Sequence, residues 1–143
     1  MLSVAPASPF SRPLVRALIV GQLATIGAFV AVLLLYLGRM AAAGVGPADM
    51  VTGAYDPKEL VPFGLHAANP FFWLYGLVSV LYLVGAVLGP GLALVAVPLA
   101  ARERGTMPRR TRALLLTGAV GVSLVLVARF TPPLLDVHRW WLD

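Results

Sequence analysis

Three uncharged stretches constrain this chain more than any other feature. They cover 17–38 (22 residues), 71–101 (31 residues) and 113–128 (16 residues), and a helix needs about 20 apolar residues to cross the hydrocarbon of a bilayer. No water reaches the backbone there, so each polar peptide group must be paired within its own segment, which a helix alone does for an isolated stretch. The expectation is an all-α integral membrane protein, one membrane domain over 1–143, with transmembrane helices at about 14–38, 70–101 and 112–131.

Composition points the same way. The chain is 59% hydrophobic and 12% charged, with a mean hydropathy of +0.88, whereas globular chains carry about a quarter charged residues. A soluble fold has too little polar surface here. Ten Arg against one Lys, with abundant Ala, Gly, Val, Leu and Pro, favours a bacterial protein and hence the plasma (inner) membrane as its multi-pass location.

Each run raises a boundary question. The first is longer than the roughly 7 to 15 residues of a signal-peptide core, and Arg39 interrupts the approach to any cleavage site in the small-residue tract behind it, so a retained anchor helix is expected. Gly89, Pro90 and Gly91 interrupt the second run, yet 92–101 would cover only about 15 Å of a core about 30 Å thick. One long helix, kinked or broken near Pro90, is the reading. The third run is short. Its ends are expected to take in Arg112 and Arg129, whose stems snorkel to the head groups, before Pro132 and Pro133 stop it.

Orientation follows from the arginines. Arg12 and Arg16 precede the first helix without an acid, and "RERGTMPRRTR" between the second and third carries Arg102, Arg104, Arg109, Arg110 and Arg112 against Glu103. Cationic short loops stay in the cytoplasm, which implies an N-in, C-out chain. Nucleic acid is not expected as a partner, because this loop lacks the aromatic residues that usually accompany such binding. Anionic lipid at the cytoplasmic face is a natural companion of the same charges. Trp73, Trp140 and Trp141 all fall on the opposite side and are expected to anchor that interface as an aromatic belt.

The long loop is not featureless. "YDPKEL" offers Asp56 as an N-cap, Pro57 at the first helical position and Glu59 at the third, so a short outer-face helix should begin there and end before Pro62 and Gly64. "NPFFW" repeats the logic, with Asn69 capping and Pro70 opening the second crossing.

Chemistry is sparse. There is no cysteine, which removes disulfides, thiolate metal sites and a cysteine nucleophile. Two histidines, His66 and His138, fall far short of a zinc or haem signature. No redox cofactor or metal is expected, and no nucleophile with a base that would make an enzyme. Gln22 stands out among polar residues of the spans, since an amide in lipid needs an interhelical partner. Small residues recur at helix-packing spacing: Gly21 with Thr25, Gly85 with Gly89, and Ala113 with Thr117 and Gly121. Such faces let backbones approach closely and suggest partners.

These features lead to one expectation about function: a non-catalytic accessory subunit, in hetero-oligomer with other membrane subunits, of a bacterial membrane complex. An energy-transducing respiratory or photosynthetic assembly is the expected setting. The alternative is a small homo-oligomeric channel or transporter whose pore is built on the glycine faces.

Overall fold

The computed structural model describes residues 12–142. Within them the order is α1 (Arg12–Ala43), α2 (Pro47–Met50), a 3-10 turn (Pro57–Leu60), α3 (Pro70–Arg102), α4 (Arg109–Arg129) and α5 (Pro132–Leu142). Helices α1, α3 and α4 are long and apolar enough to cross a membrane. Residues 1–11 and Asp143, which entered the sequence reading, lie outside the described residues.

Helix boundaries have local causes. α1 runs past Arg39 because three alanines follow Met40, and it ends where Gly44 takes a left-handed φ of 67°. There the Val45 amide donates to the Met40 carbonyl and the Gly44 amide to Ala41, a pattern that satisfies the carbonyls a helix end leaves open. α3 starts as its sequence indicates, with Asn69 accepting from the Phe71 amide at 3.0 Å and Pro70 in the first turn. It then continues unbroken through Pro90 and Pro98. Each proline lacks an amide, so the carbonyls of Ala86 and Leu94 lose their usual donors. In "YDPKEL" Asp56 accepts from the Lys58 amide at 2.8 Å, and the helix is a single 3-10 turn.

The three long helices pack against one another, with all three pairs in contact. Glycines allow it. A Cβ on Gly85 would lie 2.8 Å from Thr25 Cγ2, one on Gly89 2.8 Å from Val122 Cγ1, and one on Gly121 2.7 Å from Ile26 Cδ1. Gly85, Gly89 and Gly121 therefore lie where the chain's own long helices approach one another.

Two apolar clusters flank that glycine layer. At the basic end Met107, from the turn joining α3 to α4, packs with Val15, Leu18, Ala96, Ala100, Leu115 and Ala119. That contact brings the starts of α1 and α4 and the end of α3 to one level. With 32, 33 and 21 residues, α1 and α3 then outgrow α4 by about a dozen residues, or about 17 Å. α5 occupies the space this leaves. Pro132 and Pro133 do end α4, but the chain restarts as a helix at once, which was not foreseen. α5 inserts Val137, Trp140 and Trp141 among Phe29, Val32, Tyr36, Met50 and Tyr82.

The exterior is apolar. Val87 is 77% exposed, Leu94 74% and Val127 66%, with many more aliphatic side chains of α1, α3 and α4 on the surface. In water such a surface would be an aggregation hazard; in a bilayer it is a solvated one.

Candidate functional site

The polar side chains buried on the long helices, among the described residues, are Gln22, Thr25 and Arg129. Gln22, fully buried on α1, reaches across to α4 where Gly118 leaves room. With its nitrogen toward the Leu115 carbonyl and its oxygen toward the Ala119 amide, each at 3.3 Å, the amide lies alongside one rung of the α4 ladder. These α4 backbone groups are the ones within reach of the Gln22 amide. Thr25, one turn on, donates instead to Gly21 of its own helix at 2.9 Å, and Ser123 to Ala119 likewise. Neither hydroxyl faces the neighbour with an open hydrogen.

Arg129 is where the structure departs furthest from the sequence reading. It does not snorkel to head groups. Only 7% exposed, it turns into the bundle, donates from Nη2 to the Tyr82 carbonyl of α3 at 2.7 Å, and stacks with Cζ 3.8 Å from the centre of the Tyr82 ring. The Phe29 ring of α1 lies on another side at 5.9 Å. Its Nε and Nη1 are buried and have no hydrogen-bond partner among the described residues. The register explains the burial: Leu115, Gly118, Ala119, Val122 and Arg129 are the buried residues of α4 and recur at intervals of three, four and seven. An arginine on the packing stripe follows the stripe inward.

That stripe also relocates the small residues of α4. Gly118, not Thr117, takes the inward position; Thr117 and Ala113 are exposed on the outside, while Gly121 accommodates Ile26. Gly21, on α1, contacts Leu92.

The tryptophans divide. Trp73 is 63% exposed, its indole donating to the Ala67 carbonyl at 2.8 Å. Trp140 and Trp141 are instead interior, at 1% and 4% exposure, because α5 turns its apolar face onto α1 and α3. Trp140 donates to the Tyr55 carbonyl, tying α5 to the long loop. Both are packing residues of α5 within the bundle.

The histidines do not converge on chemistry. His66 is exposed; His138 is half-buried against the Tyr82 ring, centroids 5.9 Å apart, with Nδ1 unpartnered. Burial pushes the His138 imidazole below its ordinary range, and the nearby Arg129 charge pushes it the same way. Among the described residues no three His, Cys, Asp or Glu side chains gather as a metal site would require.

At the basic end Arg12, Arg16, Arg102, Arg104, Arg109 and Arg110 are exposed and Arg112 is half-buried. Glu103, the acid nearest them in sequence, accepts from the Thr106 hydroxyl at 2.6 Å. Comparison with known protein families, with characterised proteins and with solved structures finds no match to the chain.

Proposed function

We propose that the chain is a non-catalytic subunit that packs against other membrane proteins in a larger bacterial assembly, the energy-transducing class being the proposed setting. The observation that carries this reading is the length of apolar surface on α3. Exposed apolar side chains run from Phe71 to Val97, about 39 Å along the helix at 1.5 Å per residue, against a hydrocarbon core of about 30 Å. Tilt alone would have to reach about 40°, the extreme of what spanning helices adopt. A neighbouring protein would cover the excess.

The adjoining loop supports the same view. Phe63 holds a left-handed φ of 65°, a conformation costly for a bulky side chain, and is 83% exposed. Asn69 holds the loop, its amide donating to the Pro62 carbonyl at 2.5 Å and the Gly64 carbonyl at 2.7 Å. A strained turn that presents a phenylalanine outward, beside Phe71 at a centroid distance of 6.2 Å, suits a contact with another apolar surface. A pore built on the glycine faces has less to work with, because Gly85, Gly89 and Gly121 already touch neighbours within one copy.

The proposed orientation is N-in and C-out, from the arginine distribution, in the plasma membrane. The test is purification in mild detergent with a photocrosslinker at Phe63 or Trp73. A crosslinked second membrane protein is the expected result. A stable lone monomer would refute the reading, and a crosslinked second copy would favour the homo-oligomeric channel.

A further inference from the structure

Acids and bases are divided unevenly between the two ends of the bundle. Among the described residues every ion pair lies at the α5 end: Arg39 with Glu59 at 2.8 Å, Lys58 with Asp56 at 3.5 Å and Arg139 with Asp136 at 3.5 Å. At the other end Arg12, Arg16, Arg102, Arg104, Arg109, Arg110 and Arg112 have Glu103 as their one acid, and its carboxylate accepts from Thr106. Residues 1–11 add no acid. The remaining carboxylates belong to α2, the 3-10 turn and α5, with Asp143 next in sequence to α5. Tyr36, against which α5 packs, is about 27 Å along α1 from Leu18 of the basic end.

The placement of the arginines says more than their number. At 3.6 residues per turn Arg12, Arg16, Val20 and Leu23 share one exposed face of α1, turned away from the inward Val15, Leu18 and Gln22. Arg109, Arg112, Leu116 and Val120 share a face of α4 in the same way, with Arg112 half-buried and the others exposed. On both helices, then, two arginines three or four residues apart head a stripe of exposed aliphatic side chains. Their Cβ atoms are about 5 to 6 Å apart, close enough for like charges to repel and for one anion to lie between them. Met107 packs against both Val15 and Leu115, which sets the two pairs at one level of the bundle.

We propose that each pair, Arg12 with Arg16 and Arg109 with Arg112, binds the phosphate of an anionic phospholipid whose acyl chains lie along the aliphatic stripe of the same helix. A guanidinium donates two parallel N–H groups to phosphate oxygens, so a single phosphodiester can accept from both members of a pair. It thereby supplies the negative charge that this end of the chain lacks. A soluble polyanion would match the arginines but not the stripe, which lies in hydrocarbon; a phospholipid matches both. In a zwitterionic lipid the headgroup ammonium offsets the phosphate, so net charge sets the preference. The inference is independent of whether the chain has protein partners.

The test is native mass spectrometry of the full chain in mild detergent, with phosphatidylglycerol and phosphatidylcholine of identical acyl chains. One phosphatidylglycerol should be retained per arginine pair. An arginine near an anionic lipid surface is worth about fivefold in binding, so each pair should favour phosphatidylglycerol about thirtyfold. Arg12→Gln with Arg16→Gln should lose one retained lipid, Arg109→Gln with Arg112→Gln the other, and Arg139→Gln at the opposite end neither. Excess inorganic phosphate should leave the lipid in place, because it lacks the acyl chains. Equal retention of the two lipids, retention unchanged in both pair variants, or displacement by inorganic phosphate would each overturn the proposal. If a pair variant fails to fold, the wild-type lipid preference and the phosphate competition decide alone.

Discussion

Replacing Gly118 by alanine puts the closest helix contact to a quantitative test. A Cβ there would collide with the end of the Gln22 amide and would stand 3.0 Å from its Cδ and 3.2 Å from its Cβ. The Cβ contact matters most, since that atom cannot swing away without moving α1. Gln22 is fully buried, so it has no exposed rotamer to retreat to. Overpacking of this kind costs about 1 to 3 kcal/mol, and prising the amide from Leu115 and Ala119 strands a buried polar group for about 1 to 3 kcal/mol more. Against this, alanine is the better helix former by about 1 kcal/mol. The net expectation is a loss of about 3 kcal/mol. Gly27→Ala is the control, because nothing lies within 4 Å of its Cβ position; there only the propensity gain should appear. Unfolding in SDS, followed by tryptophan fluorescence, measures both variants. Gln22→Ala combined with Gly118→Ala should be less destabilised than the sum of the two single changes, as expected for residues in direct contact. If Gly118→Ala is as stable as Gly27→Ala, or if the pair is simply additive, the described crossing of α1 and α4 is wrong.

Three further outcomes are expected. Trp140→Phe removes the indole donor to Tyr55 and part of a buried side chain, and should cost about 1 to 3 kcal/mol, with hydrogen exchange rising in 47–60 before it rises in α3 or α4. The lowered proton affinity of His138 makes stability pH-dependent: the unfolded chain takes up its proton near the ordinary histidine value of about 6.5, so stability present above that pH should fall as pH drops toward and through the lower native value, and His138→Gln should flatten the fall. For orientation, Thr106→Cys in intact cells should resist a membrane-impermeant thiol reagent while Ala68→Cys reacts; labelling at 106 from outside would reverse the proposed topology.

How much of this was legible in the sequence depends on which physical force wrote each feature. Transfer into hydrocarbon is a sum over about twenty residues, so the three runs located their helices whatever the details of packing. Caps are equally local, and Asp56 and Asn69 could be read because a cap bond spans only two or three residues. What escaped was whatever depends on which face of a helix turns inward. A membrane helix is apolar on its lipid side as well as on its packed side, so hydrophobic periodicity, the usual guide to the buried face, is nearly silent. Thr117 and Gly118 are neighbours in a uniformly apolar run, and only the fit of Gln22 against the backbone selects the glycine. Arg129 escaped for a related reason. An arginine near the end of a span ordinarily extends to the head groups, but here α1 and α3 continue about 17 Å past it and α5 closes over the gap, so the route to water is filled by Val137, Trp140 and Trp141. The same length mismatch explains the tryptophans, which lie in the space above a short helix and not on the perimeter. A signal for it was present: 16 uncharged residues in the third run against 22 and 31 in the others. A span that is too short beside two that are too long leaves a vacancy, and the segment that follows it in sequence is the one best placed to fill it.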